Sequence, residues 1–284
     1  MTTKKFLGVD RVSYADAQIV ILPAPFDGTS TYGKGADKGP AAIIDASPHL
    51  ELYDVETQTE VWKKGIFTAK TLKFNDDPEE VVNMVHEAVS KFLKDDKLVV
   101  VLGGEHSIST GFARALKEKY SRLSVLQFDA HGDTREEYNG SKYNHACVMA
   151  RIRDLNVPIV QVGIRAIDKC EVESRKEDQH VYFAHDIYSD DKWMDDAVSK
   201  LTDEVFITFD LDAFDPSIMP STGTPVPGGL GWYQVMKFLE KVSASKKIVG
   251  FDVVELAPQK GNNGPDFLAA KLIYRLLSMI YKKP

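Results

Sequence analysis

The 284-residue chain is poor in cysteine, with Cys147 and Cys170 its only two. Two cysteines cannot build a disulfide framework, so the expectation is a reducing, cytoplasmic setting. A basic excess is also missing: 35 Lys and Arg stand against 42 Asp and Glu, for a net charge of −7. A nucleic-acid binder would carry the opposite sign, so no nucleic-acid partner is predicted. The start, MTTKKFLGVDRVSYADAQ, lacks a signal-peptide core, and the apolar stretch 267–281 is short and interrupted by Lys271 and Arg275. No membrane segment is expected. Low-complexity tracts, sequence repeats and Pro/Gly/Ser linkers are absent too, so residues 1–284 read as a single domain.

What the chain does contain is short apolar, β-branched runs alternating with longer amphipathic stretches. Candidate strands are Gln18–Pro23, Gly65–Ala69, Lys97–Leu102, Leu123–Phe128, Pro158–Val162, His180–Phe183, Val205–Phe209 and Lys247–Phe251. In Glu79–Asp95 the positions Val82, Val85, Val89, Phe92 and Leu93 make one helical face. Similar stripes occupy Thr110–Tyr120, His145–Leu155, Trp232–Ser243 and Asp266–Lys282. Strands apolar on both faces, alternating with helices, predict an α/β fold with a mostly parallel sheet covered on both sides. Eight strands could also close into a barrel, but their spacing is irregular, and an open sheet is favoured. In open parallel sheets ligands sit beyond the carboxyl ends of the strands.

Three segments stand at such ends: Gly103-Gly104-Glu105-His106-Ser107, Phe128-Asp129-Ala130-His131-Gly132-Asp133, and Phe209-Asp210-Leu211-Asp212-Ala213-Phe214-Asp215-Pro216. If the backbone stays extended, Asp129, His131 and Asp133 point one way, as do Asp210 and Asp212. His106 is a sixth potential ligand. Carboxylates so crowded would protonate unless cations lay between them. Two divalent ions would match the four aspartates in charge, with both histidines bound neutral. Carboxylate and imidazole without thiolate suit Mn²⁺ better than structural Zn²⁺. Such a pair of ions can supply hydroxide near neutral pH, and the residual negative charge favours a cationic or neutral substrate. A single aspartate after a strand is ordinarily a cap or turn residue, and Asp215-Pro216 is read that way.

With these motifs the chain resembles the ureohydrolase family of arginases and agmatinases. GGEHS, DAHGD and FDLDAFDPS look like its three metal signatures in the family's order, and the likeness runs from Pro23-Ala24-Pro25-Phe26-Asp27-Gly28 through Gly223-Thr224-Pro225 to Asp252-Val253-Val254-Glu255. The resemblance implies a three-layer α/β/α fold with a central eight-stranded, mostly parallel sheet. It implies two Mn²⁺ per subunit, a small cationic guanidino substrate, urea and an amine as products, and homo-oligomers, trimers or hexamers. By position, His106 and Asp133 would ligate one manganese, His131 and Asp212 the other, with Asp129 and Asp210 bridging. Glu255 and Thr224 match residues that hold the guanidinium, His145 a loop histidine that shuttles a proton to the leaving amine, and Asp133 a possible partner in that transfer.

Departures from the arginase pattern bear on the substrate. Arg135 stands where arginases place an asparagine that contacts the α-carboxylate, and the loop Tyr138–His145 lacks their serine-rich stretch. Agmatine, which has no α-carboxylate, is therefore the favoured substrate. The alternatives are aminopropylagmatine, guanidinobutyrate and formiminoglutamate, or a catalytically silent, metal-stabilised assembly protein. Arg135 could pair with Glu136, Glu137 or Asp168. Asp168 could attract a distal ammonium or cap a helix. The loop Tyr32–Ala41 lacks a phosphate-loop ending and resembles the family's N-terminal glycine-proline loop, which implies a wall of the site entrance. Cys147, close to His145 in sequence, is read as a buried thiol rather than a nucleophile.

Overall fold

The computed structural model describes residues 4–9 and 12–282. Eight strands form one sheet: β1 (Ile19–Ala24), β2 (Ile66–Thr68), β3 (Leu98–Gly103), β4 (Leu123–Phe128), β5 (Ile159–Ile164), β6 (Gln179–Phe183), β7 (Glu204–Asp210) and β8 (Lys247–Val254). Every pairing is parallel, in the order β2-β1-β3-β8-β7-β4-β5-β6. All eight predicted strands are present. The helices are α1 (Gly39–Ala46), α2 (Pro78–Lys94), α3 (Ser109–Lys119), α4 (Val148–Arg153), α5 (Lys169–Glu173), α6 (Ala184–Ile187), α7 (Trp193–Lys200), α8 (Trp232–Ser245) and α9 (Gly264–Ile280). None of those described is long and apolar enough to cross a membrane.

Period-2 alternation divides the core between the two sheet faces. Along β3, Val100 and Leu102 join Ile43 of α1, Phe238 of α8 and Ile273 of α9. Val99 and Val101 face the other way, with Val85 of α2 and Phe112 of α3. The result is the three-layer arrangement that the family resemblance implies. Two helical expectations change. The stripe 145–155 splits into a 3₁₀ turn, His145–Cys147, and the shorter α4, and α1 begins inside the stretch expected to be loop. Pro40 lies in the first turn of α1, where a missing N–H costs nothing.

Strand order positions the site. The chain builds β1 to β3 in one half and β4 to β6 in the other, then returns β7 and β8 into the gap between them. The carboxyl ends of β3, β8, β7 and β4 are thus adjacent; β3, β4 and β7 carry the three acidic or histidine segments and β8 leads into Glu255. Gly104 lets this rim close: a Cβ there would stand 1.9 Å from the Phe26 carbonyl oxygen.

Candidate active site

Six side chains meet above these strand ends in two sets. His106 Nδ1 lies 3.1 Å from Asp129 Oδ2, 3.1 Å from Asp133 Oδ2 and 3.6 Å from Asp210 Oδ2. His131 Nδ1 lies 3.0 Å from Asp212 Oδ2 and 3.5 Å from Asp129 Oδ1. Asp129, fully buried, therefore serves both sets, one oxygen to each. The extended backbone expected beyond the strands is not what brings them together. Asp133 adopts a left-handed φ of 52°, and Leu211–Ala213 is a 3₁₀ turn capped by Asp210, whose side chain accepts from Asp212 N–H at 2.8 Å. Local hydrogen bonds to carboxylates outcompete the extended form here.

The donor set fits a pair of divalent cations. His106 Nδ1 is buried without a hydrogen-bond partner, although carboxylate oxygens surround it. Its Nε2 is already engaged, 2.8 Å from Thr208 Oγ1, which in turn donates to Ser109 Oγ at 3.2 Å. An imidazole held at one nitrogen presents the other to a metal. Asp129 is oriented in the same manner. Its Oδ1 accepts the His131 backbone N–H at 2.6 Å and its Oδ2 accepts Gln127 Nε2 at 2.6 Å, leaving a lone pair on each oxygen. Gln127 is itself held by Gln161, which donates to its Oε1 at 2.5 Å, and Gln161 by Gln179 at 2.6 Å. This amide relay crosses β4, β5 and β6 and points every NH₂ toward Asp129.

The electrostatics are those of crowded, buried carboxylates and imidazoles. Burial opposes charge on His106 and His131, but the neighbouring aspartates outweigh it, raising His106 well above its usual value and His131 to about 12. Burial and the Asp129 charge push Asp133 up to about 7, and burial with Asp212 and Asp129 raises Asp210 well above the carboxylate range. Asp129 is lowered, because the two imidazoles overcome its burial.

A cavity of about 290 Å³ opens above these groups, lined by His131, Asp133 and Asp210 and by the predicted His145, Thr224, Asp168 and Glu255. Glu255 follows β8 at a left-handed φ of 65°, and its Oε1 accepts the His106 backbone N–H at 2.7 Å. Burial and Glu105 raise its carboxyl well above the usual range. At the mouth Arg135 donates to Asp168 at 2.6 Å, lies 3.6 Å from Glu171 and stacks over Tyr138 at 4.5 Å. Glu136 instead holds Arg151 and Arg153. Asp168 also caps α5, its backbone N–H donating to Glu171 Oε2 at 3.1 Å. Cys147 is buried, and burial with Asp133 pushes its thiol up to about 11, unsuited to a nucleophile. Sequence reasoning overlooked Glu105, Thr29 and the glutamines. Glu105 alone carried a signal, since it sits inside GGEHS.

The model of the arginase family matches residues 17–278, a span that contains both donor sets and every acid of the cavity. The chain belongs to the arginase family. It is 40% identical over 286 residues to the N(1)-aminopropylagmatine ureohydrolase of Synechocystis sp., covering 96% of this chain and 93% of that one. To the agmatinase of Pyrococcus horikoshii it is 34% identical, covering 94% of each. The crystal structure of the agmatine ureohydrolase of Thermoplasma volcanium superposes with a TM-score of 0.91 at 33% identity, over 99% of this chain and 96% of that one. The protein is thus an arginase-family hydrolase of the ureohydrolase type, and its all-parallel eight-stranded sheet is the family's.

Proposed function

We propose that the protein hydrolyses a linear guanidino compound with a cationic tail, N1-aminopropylagmatine or agmatine, to urea and an amine. The observation that carries this reading is the pair of carboxylate–imidazole sets beneath a cavity that also presents Glu255 and His145. His106, Asp129, Asp133 and Asp210 would hold one divalent ion and His131, Asp212 and Asp129 a second, and the family resemblance implies that Asp210 serves both. Mn²⁺ is the ion this donor set suits best. Bound there, such ions supply Lewis acidity and lower the pKa of water toward neutrality. The protein's own groups do the rest. Glu255 and Thr224 receive the guanidinium N–H groups and hold its carbon over the floor of the cavity. Water adds to that carbon, the bond to the tail nitrogen breaks, and His145, with Asp133 beside the floor, moves a proton to the departing amine.

Arg135 is where the substrate choice is decided. Its charge is absorbed by Asp168 and Glu171, so the mouth does not repel a cation and offers little to a carboxylate tail. That favours the two polyamine-type guanidines over guanidinobutyrate and formiminoglutamate. The name of the Synechocystis relative supports ranking the aminopropyl compound ahead of agmatine. Complete donor sets and Glu255 have no evident use in a silent assembly protein. We read residues 1–284 as one domain on the same grounds, since one sheet carries the whole site. The test is urea release by Mn²⁺-loaded protein from aminopropylagmatine, agmatine, arginine and guanidinobutyrate, with formamide release from formiminoglutamate. Turnover confined to the anionic-tailed compounds would overturn the assignment.

Three further outcomes are expected. Asp168→Asn leaves Arg135 without its main counter-charge, so KM for a cationic tail should rise about fivefold with kcat little changed; the pair is half-exposed, which limits the effect. Steady-state kinetics on the favoured substrate measures it. Gln127→Met removes the donor that aims Asp129 while keeping the volume. Metal affinity should fall about 10–100-fold in competition with a chelating dye, the usual cost of losing an outer partner; an unchanged affinity would make the relay merely structural. Metal loading should also release protons. Below their raised values His106, His131 and Asp210 are protonated, metal must displace those protons, and affinity therefore rises with pH. Calorimetry in buffers of different ionisation enthalpy reads the release directly.

A further inference from the structure

Thr29 stands between Glu105 and His145. Its Oγ1 lies 2.6 Å from Glu105 Oε1, accepts the His145 backbone N–H at 2.9 Å, and is 3.1 Å from His145 Nδ1. Glu105 is fully buried and collects four more donors, the weakest being Ser30 Oγ, 3.5 Å from Oε2. The backbone N–H groups of Thr29 and Ser30 reach Oε2 at 2.5 and 2.9 Å, and Ser107 Oγ reaches Oε1 at 2.7 Å. Backbone N–H groups can only donate, so Oε2 is an acceptor and the carboxylate is surrounded by protons belonging to others. A hydroxyl has one proton to give. With that proton directed at Glu105, Thr29 Oγ1 has only lone pairs left for His145. The His145 backbone N–H takes one of them, and a contact at 3.1 Å to the ring is then favourable only from Nδ1–H.

We propose that Thr29, aimed by Glu105, is a positioning residue that fixes His145 in its Nδ1–H tautomer and presents unprotonated Nε2 to the cavity. The consequence for chemistry rests on the guanidino-hydrolase reading above. Nε2 accepts the proton released as water adds to the guanidinium carbon, and returns it to the tail nitrogen as the C–N bond breaks. The hydroxyl left on the carbon gives up the second water proton to the same amine, so guanidinium and water become neutral urea and an alkylammonium with no proton gained or lost. Burial lowers the His145 ring below its usual value, so the resting ring is neutral and its tautomer matters. The Tyr138 ring meets the imidazole edge-on at 6.3 Å, limiting its rotation. The same Glu105 clamp holds the loop whose Ser30 and Tyr32 wall the cavity.

The test uses the full chain labelled with ¹⁵N-histidine and loaded with diamagnetic Mg²⁺, by long-range ¹H–¹⁵N correlation. His145 is assigned by the signals lost in His145→Asn. Nδ1 should appear protonated and Nε2 bare. The Nε2–H form, which arises if Glu105 carries the proton and donates it to Thr29, overturns the proposal. Thr29→Val should give mixed tautomers and lower kcat about 100-fold with KM nearly unchanged, the scale of a lost proton-transfer group. Thr29→Ser should restore both. Wild-type tautomer and kcat in Thr29→Val would also overturn it. Should Thr29→Val fail to fold, the wild-type spectrum still decides. An Nδ1–H ring in a protein that releases no urea from any guanidine would support the positioning and sink the functional reading instead.

Discussion

Asp129→Asn and Asp210→Asn are each expected to strip the protein of its metal and lower turnover by at least about 1,000-fold. Asn keeps the volume but removes one of the negative charges that a pair of divalent ions would need. Asp129 is the sharper case, because its two oxygens face different histidines, 3.1 Å from His106 Nδ1 and 3.5 Å from His131 Nδ1. Its loss should empty both positions. Asp212 faces only His131 among the two histidines, so Asp212→Asn should leave about one ion in place. Elemental analysis after dialysis reads the two cases apart, and urea assays on the same samples give the turnover. Two ions retained by Asp129→Asn, with activity, would refute the two-set assignment.

Glu255→Gln should act differently, keeping the metal while turnover falls about 100- to 1,000-fold. Glu255 belongs to neither donor set. It lines the cavity over the floor, where on the proposed reading a guanidinium would be countered as its carbon becomes tetrahedral, and charge stabilisation of that kind carries effects of this size. The His106 N–H bond fixes Oε1, so the free oxygen is the one offered to substrate. The Glu255→Gln substitution turns that oxygen into an NH₂, which meets the guanidinium N–H groups donor to donor. The left-handed backbone at Glu255 costs of order 1–3 kcal/mol and persists where the surroundings impose it, as at a functional turn. Metal content and kcat measured together are the check. Near wild-type kcat would reduce Glu255 to a support for the His106 backbone.

The two predictions share a structural basis that local sequence could show only in part. Strands were legible because runs such as the valine-rich Leu98–Gly103 and the mostly apolar Leu123–Phe128 are buried on both faces. Long helices were legible because α2 and α9 sustain an apolar stripe for 17 residues each. The shorter α5, α6 and α7 run five, four and eight residues, too few turns for a 3.6-residue period to stand out.

By itself the sequence determined the fold class, the three candidate ligand segments and the family, since each candidate ligand lies within five residues of its strand's end. Chain order and strand chemistry are local properties, and they survive any arrangement of the sheet. Only the tertiary structure decided which side chains meet. Arg135 finds Asp168 across 33 residues of chain, Gln127 finds Gln161 across 34, and Thr29 finds His145 across 116. The β4–β5 register aligns Gln127 with Gln161, and the return of β7 and β8 into the gap brings Asp210 and Glu255 beside His106. Charge compensation and hydrogen bonding depend on distance in space. A residue pattern along the chain carries that distance only where the residues are neighbours on one element.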